Sequence, residues 1–520
     1  MLASHSLNTS TSAPPEHFFS SGWESGGRVG MKKKSVGINA VLNVIKQCCA
    51  ILFPIITFPY ISRVLQTENY GKVNFGNSFI TYVTLFAALG LTNYAIREGA
   101  RIRNDKKAFQ TFANQVFTIN CITTLTAYLV FFLLIIFVPK LHLYCLLLLI
   151  QSISVILTTL GADWINSIYE DFLYITIRYI VVQIFSIIAM FIFVRTPDDY
   201  IVYAGIHVFA NAGANISNFF HIRKYTHLRL TRKMNFKTHI KPMLMLFCYS
   251  LSVQLYINSD ITLLGILMND TVVGIYSAAV KIYNIMKQLL NAVIVVIIPR
   301  VSALLGENKL KEYNSLLEKV FHALISMIMP IIVGIFMLSY EIIALIGGES
   351  YASGHWALRI LSIALCGAVF ANFFNNAILV PNKKEKNFLI ATLTAAIVNV
   401  VLNFAFIPLW GYVGAAITTV FAEFIVMFFG IYYSKGLYTF KICIKDILSC
   451  VVGCVFIGFV CVLVKSFFSN YFIIIAVSVL TAVICYSTTL IVMKNRLATT
   501  IFEHIKEGFS YNLHILLRFS

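Results

Sequence analysis

The chain has 520 residues, of which 59% are hydrophobic and 12% charged, and its mean hydropathy is +0.81. A soluble domain cannot bury so much apolar surface, so this composition excludes a soluble protein and predicts an all-α integral membrane protein with many spans. The net charge of +18 would fit a nucleic-acid-binding protein, but the basic residues lie in particular loops, where they orient membrane helices, and no nucleic-acid partner is expected.

The first thirty residues differ from the rest of the chain. They contain Ser, Gly and Pro but no apolar run of signal-peptide length. Met31 and the three lysines after it resemble a natural start with a basic flank before a helix. We therefore expect residues 1–30 to be a disordered extension or a mis-called start.

Apolar spans recur from residue 40 to residue 493 and number about fourteen. Basic residues concentrate in every second loop, which predicts that both termini lie in the cytoplasm. One loop on that side, 161–174, departs from the pattern because it is acidic. The predicted organisation is an N-terminal lobe (31–222, spans 1–6), a basic cytoplasmic linker (223–242), a C-terminal lobe (243–434, spans 7–12), two extra helices (435–493) and a cytoplasmic tail (494–520).

The first span contains Lys46, Pro54 and Pro59. Each proline removes a backbone hydrogen bond and bends the helix, so this span is a candidate gate, with a static kink as the alternative. Lys46 could line the lower part of a cavity or extend its ammonium group to the inner membrane surface.

The second and eighth spans form a weak internal repeat. Gly71 and Gly274 open them, 203 positions apart (274 − 71), and Arg97 and Arg300 close them at the same offset. Repeats of this kind place a substrate site at their interface, near the middle of the membrane. We therefore expect two pseudo-symmetric six-helix lobes around a central cavity. The polar side chains along the second span are Asn74, Asn77, Thr81 and Thr84.

The eighth span carries a polar stripe. Its members are Ser277, Lys281, Asn284, Gln288 and Asn291, spaced four, three, four and three residues apart, so they share one helix face. A lysine in hydrocarbon is costly unless it faces water or a partner, so the stripe predicts the wall of an internal cavity. Hydrogen bonding between helices is the alternative for the asparagines and the glutamine.

Two acids, Asp260 and Glu423, lie within apolar spans. Buried carboxyl groups can exchange protons with a gradient, which makes both residues coupling-ion candidates. The alternative for Asp260 is a salt bridge to Lys281 or Lys287, and the alternative for Glu423 is a hydrogen-bonded packing role.

Motifs of catalysis are missing from the sequence. It contains no Walker A motif, no HExxH and no paired-cysteine metal site. The predicted external loops are too short to hold the acid and base groups of a membrane glycosyltransferase or polymerase. We expect transport rather than catalysis, no resident cofactor or metal, and a proton or sodium ion as the coupling ion.

Four segments occur in a recognisable order: FPYISRVLQTENYGKVNF (58–75), ADWINSIYEDFLYITIR (162–178), VGIYSAAVKIYN (273–284) and GYVGAAITTVFAEF (411–424). Together they resemble the polysaccharide flippases of the multidrug/oligosaccharidyl-lipid/polysaccharide (MOP) superfamily, and in particular its O-antigen, or Wzx-type, branch. The similarity extends from about Gly37 to Tyr433.

This resemblance implies a flippase that moves undecaprenyl-pyrophosphate-linked sugar repeat units across the bacterial inner membrane by alternating access. The product would be O-antigen, capsule or exopolysaccharide. The lipid bilayer, a polysaccharide polymerase and chain-length proteins would be its partners. The alternatives are a drug or cation antiporter of the same superfamily, which would need an acidic cavity, and a peptidoglycan-precursor flippase.

The pyrophosphate group of such a substrate is anionic, so cations are the strongest candidates for binding it. Lys281 comes first, with a structural salt bridge as its alternative. Arg178 and Lys46 follow, and an orientation anchor at the membrane surface is the alternative for Arg178. The further cavity candidates are the stripe residues Ser277, Asn284, Gln288, Asn291, Asn74, Asn77 and Thr81.

Overall fold

The computed structural model describes residues 36–233, 236–439, 443–496 and 498. Within these ranges the regular structure is helical, and no strand occurs in them. The predictions for residues 1–30 and for the tail beyond residue 498 lie outside the described residues.

The helices follow one another with short connections. The first half of the chain contains α1 (Val36–Ala88), α2 (Leu91–Ile102), α3 (Lys106–Phe137), α4 (Pro139–His142), α5 (Cys145–Gly161), α6 (Trp164–Ile168), α7 (Phe172–Phe193), α8 (Tyr200–Val208) and α9 (Ala214–His221), with a π-helix (Phe209–Gly213) between the last two. The second half contains α10 (Phe236–Leu267), α11 (Asp270–Gly306), α12 (Leu310–Gly347), α13 (His355–Asn372), α14 (Glu385–Trp410), α15 (Tyr412–Ser434), α16 (Ile444–Phe467) and α17 (Tyr471–Val492), with a π-helix (Phe373–Leu379) after α13.

Helix α1 comprises two spans. Gln66 has φ 58° and ψ −177°, which is not a helical conformation, and the chain turns there. Lys46, before Gln66, and Thr84, after it, line the same cavity. Both legs of α1 therefore run to the same end of the bundle.

Fourteen spans result among the described residues when α1 is counted as two, the continuous stretch 200–221 is counted as one, and the short helices α2, α4 and α6 are left out. Eleven helical segments of this part of the chain are long and apolar enough to cross a membrane, and Cys145–Gly161 is a shorter apolar helix. The predicted all-α membrane fold with about fourteen helices is confirmed. The lobe boundaries stay a prediction.

The two glycines of the internal repeat meet where α1 and α11 cross. A side-chain carbon added at Gly274 would collide with the carbonyl oxygen of Thr67, and one added at Gly71 would collide with that of Asp270. Thr67 and Asp270 are also 203 positions apart (270 − 67), so each helix makes the same contact with the other. The two backbones therefore touch in a pseudo-symmetric crossing that leaves no room for a side chain on either side.

We call the end of the bundle that carries Gln66 the Gln66 end, and the opposite end, which carries the segment 222–233, the linker end. Contacts between the lobes close the Gln66 end. The Tyr144 hydroxyl donates to Asp270 Oδ1 at 2.6 Å, and the Tyr351 hydroxyl donates to the backbone oxygen of Gln66 at 2.8 Å. Together with the glycine crossing, these bonds join the first lobe to the second at this end.

The segment between the lobes lies along α3. Three side chains one turn apart on α3 accept backbone N–H groups from it: Gln110 from residue 227, Asn114 from residue 229 and Thr118 from residue 231. The basic side chains of Arg229 and Arg232 are exposed. Residues 227–231 of the linker are thus fixed to α3 by hydrogen bonds, and the basic side chains of Arg229 and Arg232 lie at the surface.

The two extra helices, α16 and α17, pack beside α12. At one end of α16, Lys465 forms an ion pair with Glu341 at 2.8 Å. At its other end, Asp446 Oδ2 lies 3.5 Å from both His322 Nδ1 and Arg496 Nε. These contacts anchor α16 at both ends.

Candidate substrate cavity and coupling site

A cavity of about 360 Å³ lies within the first lobe, toward the linker end. Its wall is formed by both legs of α1, by α2, α3, α5, α6 and α7, and by the span 200–221. This volume is in the range of small-molecule binding sites. The polar side chains of the wall are Lys46, Thr84, Thr92, Asn120, Thr158, Thr159, Asp163, Trp164, Arg178, Tyr179, Asn211 and Asn215.

Arg178 lies in this wall with only 8% of its side chain exposed. Its Nη2 donates to Asp163 Oδ1 at 2.7 Å, and its guanidinium carbon lies 5.3 Å from the ring centre of Tyr174. The other two nitrogens, Nε and Nη1, have no hydrogen-bond partner in the described part of the chain. Buried unpaired donors are rare and indicate a place for a ligand or water. Such burial argues against a mere anchor at the membrane surface.

Lys46 shares the wall with Arg178. Its Nζ lies 5.7 Å from the ring centre of Tyr179, and it forms no ion pair with the described residues. The indole Nε1 of Trp164 and the Oδ1 of Asn120, in the same wall, also lack hydrogen-bond partners there. The cavity therefore offers positive charge together with unpaired donor and acceptor groups.

The polar stripe on α11 becomes more exposed from Ser277 to Gln288, and Asn291 beyond it is half-buried. Ser277, one turn from the glycine crossing, is 4% exposed, Lys281 is half-buried and Gln288 is exposed. Exposure along α11 therefore rises from the Gln66 end as far as Gln288. Lys281 has no hydrogen bond or ion pair within the described ranges, and it lies within electrostatic range of His207 on the first lobe.

The remaining cavity candidates on α11 and α1 lie in different surroundings. Asn284 lines a small pocket in the second lobe, and Asn291 has a buried, unpaired Oδ1. Asn74 Nδ2 and Thr81 Oγ1 each donate to a carbonyl oxygen of their own helix at 2.8 Å. Asn77 is half-buried. Their roles in substrate binding stay predictions.

Three polar residues on the span 200–221 were not predicted from the sequence. His207, Asn211 and Asn215 are spaced four residues apart, and the two asparagines line the first-lobe cavity. Asn211 Nδ2 donates to the backbone oxygen of His207 at 2.9 Å. Their regular spacing in a largely apolar span is the signal that could have identified them.

Asp260 is buried in the second lobe among uncharged donors. Its Oδ1 accepts from Asn403 Nδ2 at 2.6 Å, and its Oδ2 accepts from the Tyr276 hydroxyl at 2.8 Å and from Thr419 Oγ1 at 2.5 Å. No lysine or arginine pairs with it among the described residues. The proposed salt bridge to Lys281 or Lys287 is therefore not formed in this structure.

Glu423 is paired with a lysine. Its Oε1 lies 2.5 Å from Lys287 Nζ and accepts from the Tyr283 hydroxyl at 2.7 Å. Lys287 Nζ also lies 5.7 Å from the ring centre of Tyr256. A lysine thus pairs with Glu423, whereas no lysine or arginine of the described residues pairs with Asp260. This contrast makes Asp260 the stronger coupling-ion candidate of the two.

The two prolines of the first span lie inside α1, before Gln66. The helix continues through both of them, and the described break in its backbone is at Gln66 instead. The assignment of Pro54 and Pro59 as a gate stays a prediction.

Residues 34–305 match a family model described as polysaccharide biosynthesis protein. The chain belongs to the polysaccharide biosynthesis protein family. The match covers more than half of the chain and includes the first-lobe cavity and nearly all of α11. The match agrees with the resemblance seen in the sequence, because both point to a family of polysaccharide synthesis.

Two curated relatives carry the name "Putative O-antigen transporter". The protein from Escherichia coli is 24% identical over 402 residues, which cover 76% of this chain and 95% of the relative. The protein from Shigella dysenteriae is 24% identical over 393 residues, which cover 73% of this chain and 94% of the relative.

Two solved structures share the fold. The lipid II flippase MurJ in an inward closed conformation has a TM-score of 0.68 and 17% identity, covering 87% of this chain and 98% of that one. An inward-facing multidrug resistance MATE family transporter of the MOP superfamily has a TM-score of 0.56 and 14% identity, covering 75% and 97%. These relatives and structural neighbours carry the names of transporters and flippases.

Proposed function

We propose that this protein moves undecaprenyl-pyrophosphate-linked oligosaccharide repeat units across the bacterial inner membrane for synthesis of a surface polysaccharide. The family match and the O-antigen transporter relatives support a flippase of lipid-linked oligosaccharide. The pyrophosphate carrier is what the family resemblance implies, and the positive charge of the first-lobe cavity fits it.

The observation that carries the proposal is a set of three cations, of which Lys46 and Arg178 line the first-lobe cavity and Lys281 lies on α11. Lys281 and Lys46 form no ion pair within the described residues, and Arg178 keeps two nitrogens without a hydrogen-bond partner. Cations within a membrane protein require water, an acid or an anionic ligand. A pyrophosphate supplies that anion, and sugar hydroxyls can bond to the asparagine and threonine side chains of the wall. The drug or cation antiporter alternative would need an acidic wall instead.

Alternating access is part of the proposal. The glycine crossing closes the Gln66 end, while the stripe on α11 is more exposed toward the linker end. This arrangement suits loading of the substrate from the linker end. Release at the Gln66 end would require α1 and α11 to separate at the crossing, with Pro54 and Pro59 as the proposed bending points of α1.

The orientation in the membrane follows from the loop charges. We propose that the linker end and both termini face the cytoplasm and that the Gln66 end faces outward. In a background without native cysteines, Ser350→Cys should react with a membrane-impermeant thiol reagent in intact cells, because this exposed residue lies beside the Gln66 end. Lys386→Cys, exposed at the start of α14, should react only after permeabilisation. The reverse pattern would invert the proposed orientation.

Asp260 is proposed to carry the coupling ion, a proton or sodium. Asp260→Asn keeps the size of the side chain but removes its charge, so it should leave the protein folded and abolish transport driven by an ion gradient. Glu423→Gln should act differently, because it leaves the half-buried Lys287 without its acid, and loss of one partner from a fully buried pair typically costs about 3–5 kcal/mol as an upper bound. Transport with and without an imposed gradient, together with thermal melting of both variants, distinguishes the two roles. Gradient-driven transport at the wild-type rate in Asp260→Asn would remove Asp260 as the coupling residue.

Deletion of the gene in its source organism tests the proposed function. We expect loss of a surface polysaccharide and accumulation of its lipid-linked repeat unit, both reversed by the wild-type gene. Sensitivity to cationic dyes with normal polysaccharide would support the antiporter alternative. Arrested growth with accumulated cell-wall precursor would support the peptidoglycan-precursor alternative. A polysaccharide polymerase and chain-length proteins are the proposed protein partners.

A further inference from the structure

The cations along the pathway lie at two depths. The Gly71–Gly274 crossing gives α1 and α11 a common level. Lys281 lies seven residues beyond Gly274 (281 − 274), about 10 Å along its helix. Thr84, in the wall of the first-lobe cavity, lies thirteen residues beyond Gly71 (84 − 71), about 20 Å along its helix. The first-lobe cavity therefore lies about 10 Å closer to the linker end than Lys281 does.

The level of the first-lobe cavity coincides with the membrane surface at the linker end. The second leg of α1 runs from Gln66 to Ala88, which is 22 residues (88 − 66) and about 33 Å. The hydrocarbon core of a bilayer is about 30 Å thick, so Thr84 and Ala88 lie near its boundary at the linker end. The pyrophosphate of a bilayer-bound lipid occupies the same plane. It could reach this cavity without leaving the depth of its own leaflet.

The first-lobe cavity holds one of its cations in a fixed position. We call Lys46 and Arg178, in the wall of the first-lobe cavity, the inner site. Arg178 is held by Asp163 and covered by the ring of Tyr174, yet its Nε and Nη1 remain unpaired. Trp164 Nε1, in the same wall, is a further unpaired donor. A fixed guanidinium group with free N–H groups is well suited to a phosphate oxygen.

Lys281, at the level nearer the glycine crossing, is not held by such contacts. Lys281 is half-buried and forms no hydrogen bond or ion pair within the described ranges. His207 of the first lobe lies within electrostatic range of it. A lysine on a flexible stem acts as a point charge and provides little fixed geometry. It suits transient stabilisation of an anion at mid-membrane better than initial capture.

A row of polar side chains connects the two levels. Asn215 and Asn211 line the first-lobe cavity, and one turn further along the same span His207 lies within electrostatic range of Lys281. The π-helix Phe209–Gly213 lies within this row. Local π-helical turns often occur at functional sites, where they alter the direction of side chains.

From this arrangement we propose that the anionic pyrophosphate binds first at the inner site and is passed to Lys281 only as the substrate moves toward mid-membrane. The inference rests on the proposed flippase function and adds an order of events to it. It assigns initial binding to Arg178 and Lys46, and translocation to Lys281.

Binding and transport measured separately test this order. Undecaprenyl diphosphate serves as the binding probe for the purified full-length protein in nanodiscs. Arg178→Gln and Lys46→Gln should each raise its Kd by at least about tenfold, because a charged hydrogen bond is lost. Lys281→Gln should keep the Kd within about threefold of wild type but slow translocation of the lipid-linked oligosaccharide in vesicles by at least about tenfold.

Two further variants control the experiment. Lys309→Gln removes an exposed lysine that pairs with Glu307 outside the cavity, and it should match wild type in both assays. Arg178→Lys keeps the positive charge and provides a second reading if Arg178→Gln fails to fold. The Kd of Arg178→Lys should lie between those of wild type and Lys46→Gln.

Three outcomes would overturn the inference. An equal rise of Kd in Lys281→Gln and Arg178→Gln would indicate a single site. Wild-type Kd values in Arg178→Gln and Lys46→Gln would remove the inner site. If the wild-type protein neither bound the probe nor translocated the oligosaccharide, the proposed function would fall and this inference with it.

Discussion

Lys281→Ala and Lys281→Glu should abolish the surface polymer at normal protein levels, while Lys281→Arg should retain part of it. The ammonium group lies about 10 Å from the glycine crossing along α11 and has no anionic partner in the described part of the chain. An anionic substrate passing this point would therefore lose its stabilising charge in the alanine variant. A charged hydrogen bond of about 2 kcal/mol corresponds to about 30-fold in rate. Surface polymer and membrane-fraction protein amounts are the measurements.

The salt-bridge alternative for Lys281 makes a different forecast. If Lys281 served only to neutralise Asp260, the double variant Lys281→Ala/Asp260→Asn should recover activity. In the structure the oxygens of Asp260 are already satisfied by Asn403, Tyr276 and Thr419. We therefore expect the double variant to stay inactive. Recovery in the double variant, or wild-type activity in Lys281→Ala, would remove Lys281 from the substrate pathway.

Gly274→Ala should stop transport by preventing closure of the Gln66 end. Its new methyl group would meet the carbonyl oxygen of Thr67, which belongs to a helix backbone and cannot move alone. Relief of this collision requires α1 and α11 to separate, and overpacking of this kind costs about 1–3 kcal/mol. We expect transport to fall at least about tenfold. A cysteine at Ser277, buried one turn below the crossing, should then react faster with a membrane-impermeant thiol reagent added outside.

Gly334→Ala is the matched control for this prediction. Gly334 lies inside the long helix α12, and a side-chain carbon there meets nothing within 4 Å. Transport and Ser277→Cys labelling should both stay at wild-type levels in this variant. Normal transport in Gly274→Ala, or unchanged labelling, would show that the glycine crossing is not a gate.

The polar stripe on α11 could be predicted from the sequence because a helical period assigns side chains to one face. The repeat offset also identified Gly71 and Gly274 as equivalent positions. It did not predict that they touch, since equivalent residues meet only where the pseudo-symmetry axis passes between them. That position depends on the packing of the whole bundle.

The first-lobe cavity was only partly predictable. Lys46 and Arg178 were each candidates, but they are 132 residues apart in the chain (178 − 46), and no local pattern brings them to one wall. The partner of Asp260 was open for a similar reason. Lys281 and Lys287 both lie on α11, and only the helix rotation decides that Lys287 reaches Glu423 while Asp260 receives uncharged donors.

Translocation by the purified protein is the most direct test of the proposed function. Proteoliposomes would contain the undecaprenyl-pyrophosphate-linked oligosaccharide of the source organism, labelled on its sugars, and an impermeant glycosidase would be added outside. We expect the fraction of oligosaccharide open to cleavage to rise with time in wild-type vesicles and to stay constant in Lys281→Ala and protein-free vesicles. Equal cleavage in wild-type and protein-free vesicles, with the protein folded and correctly inserted, would contradict the flippase assignment.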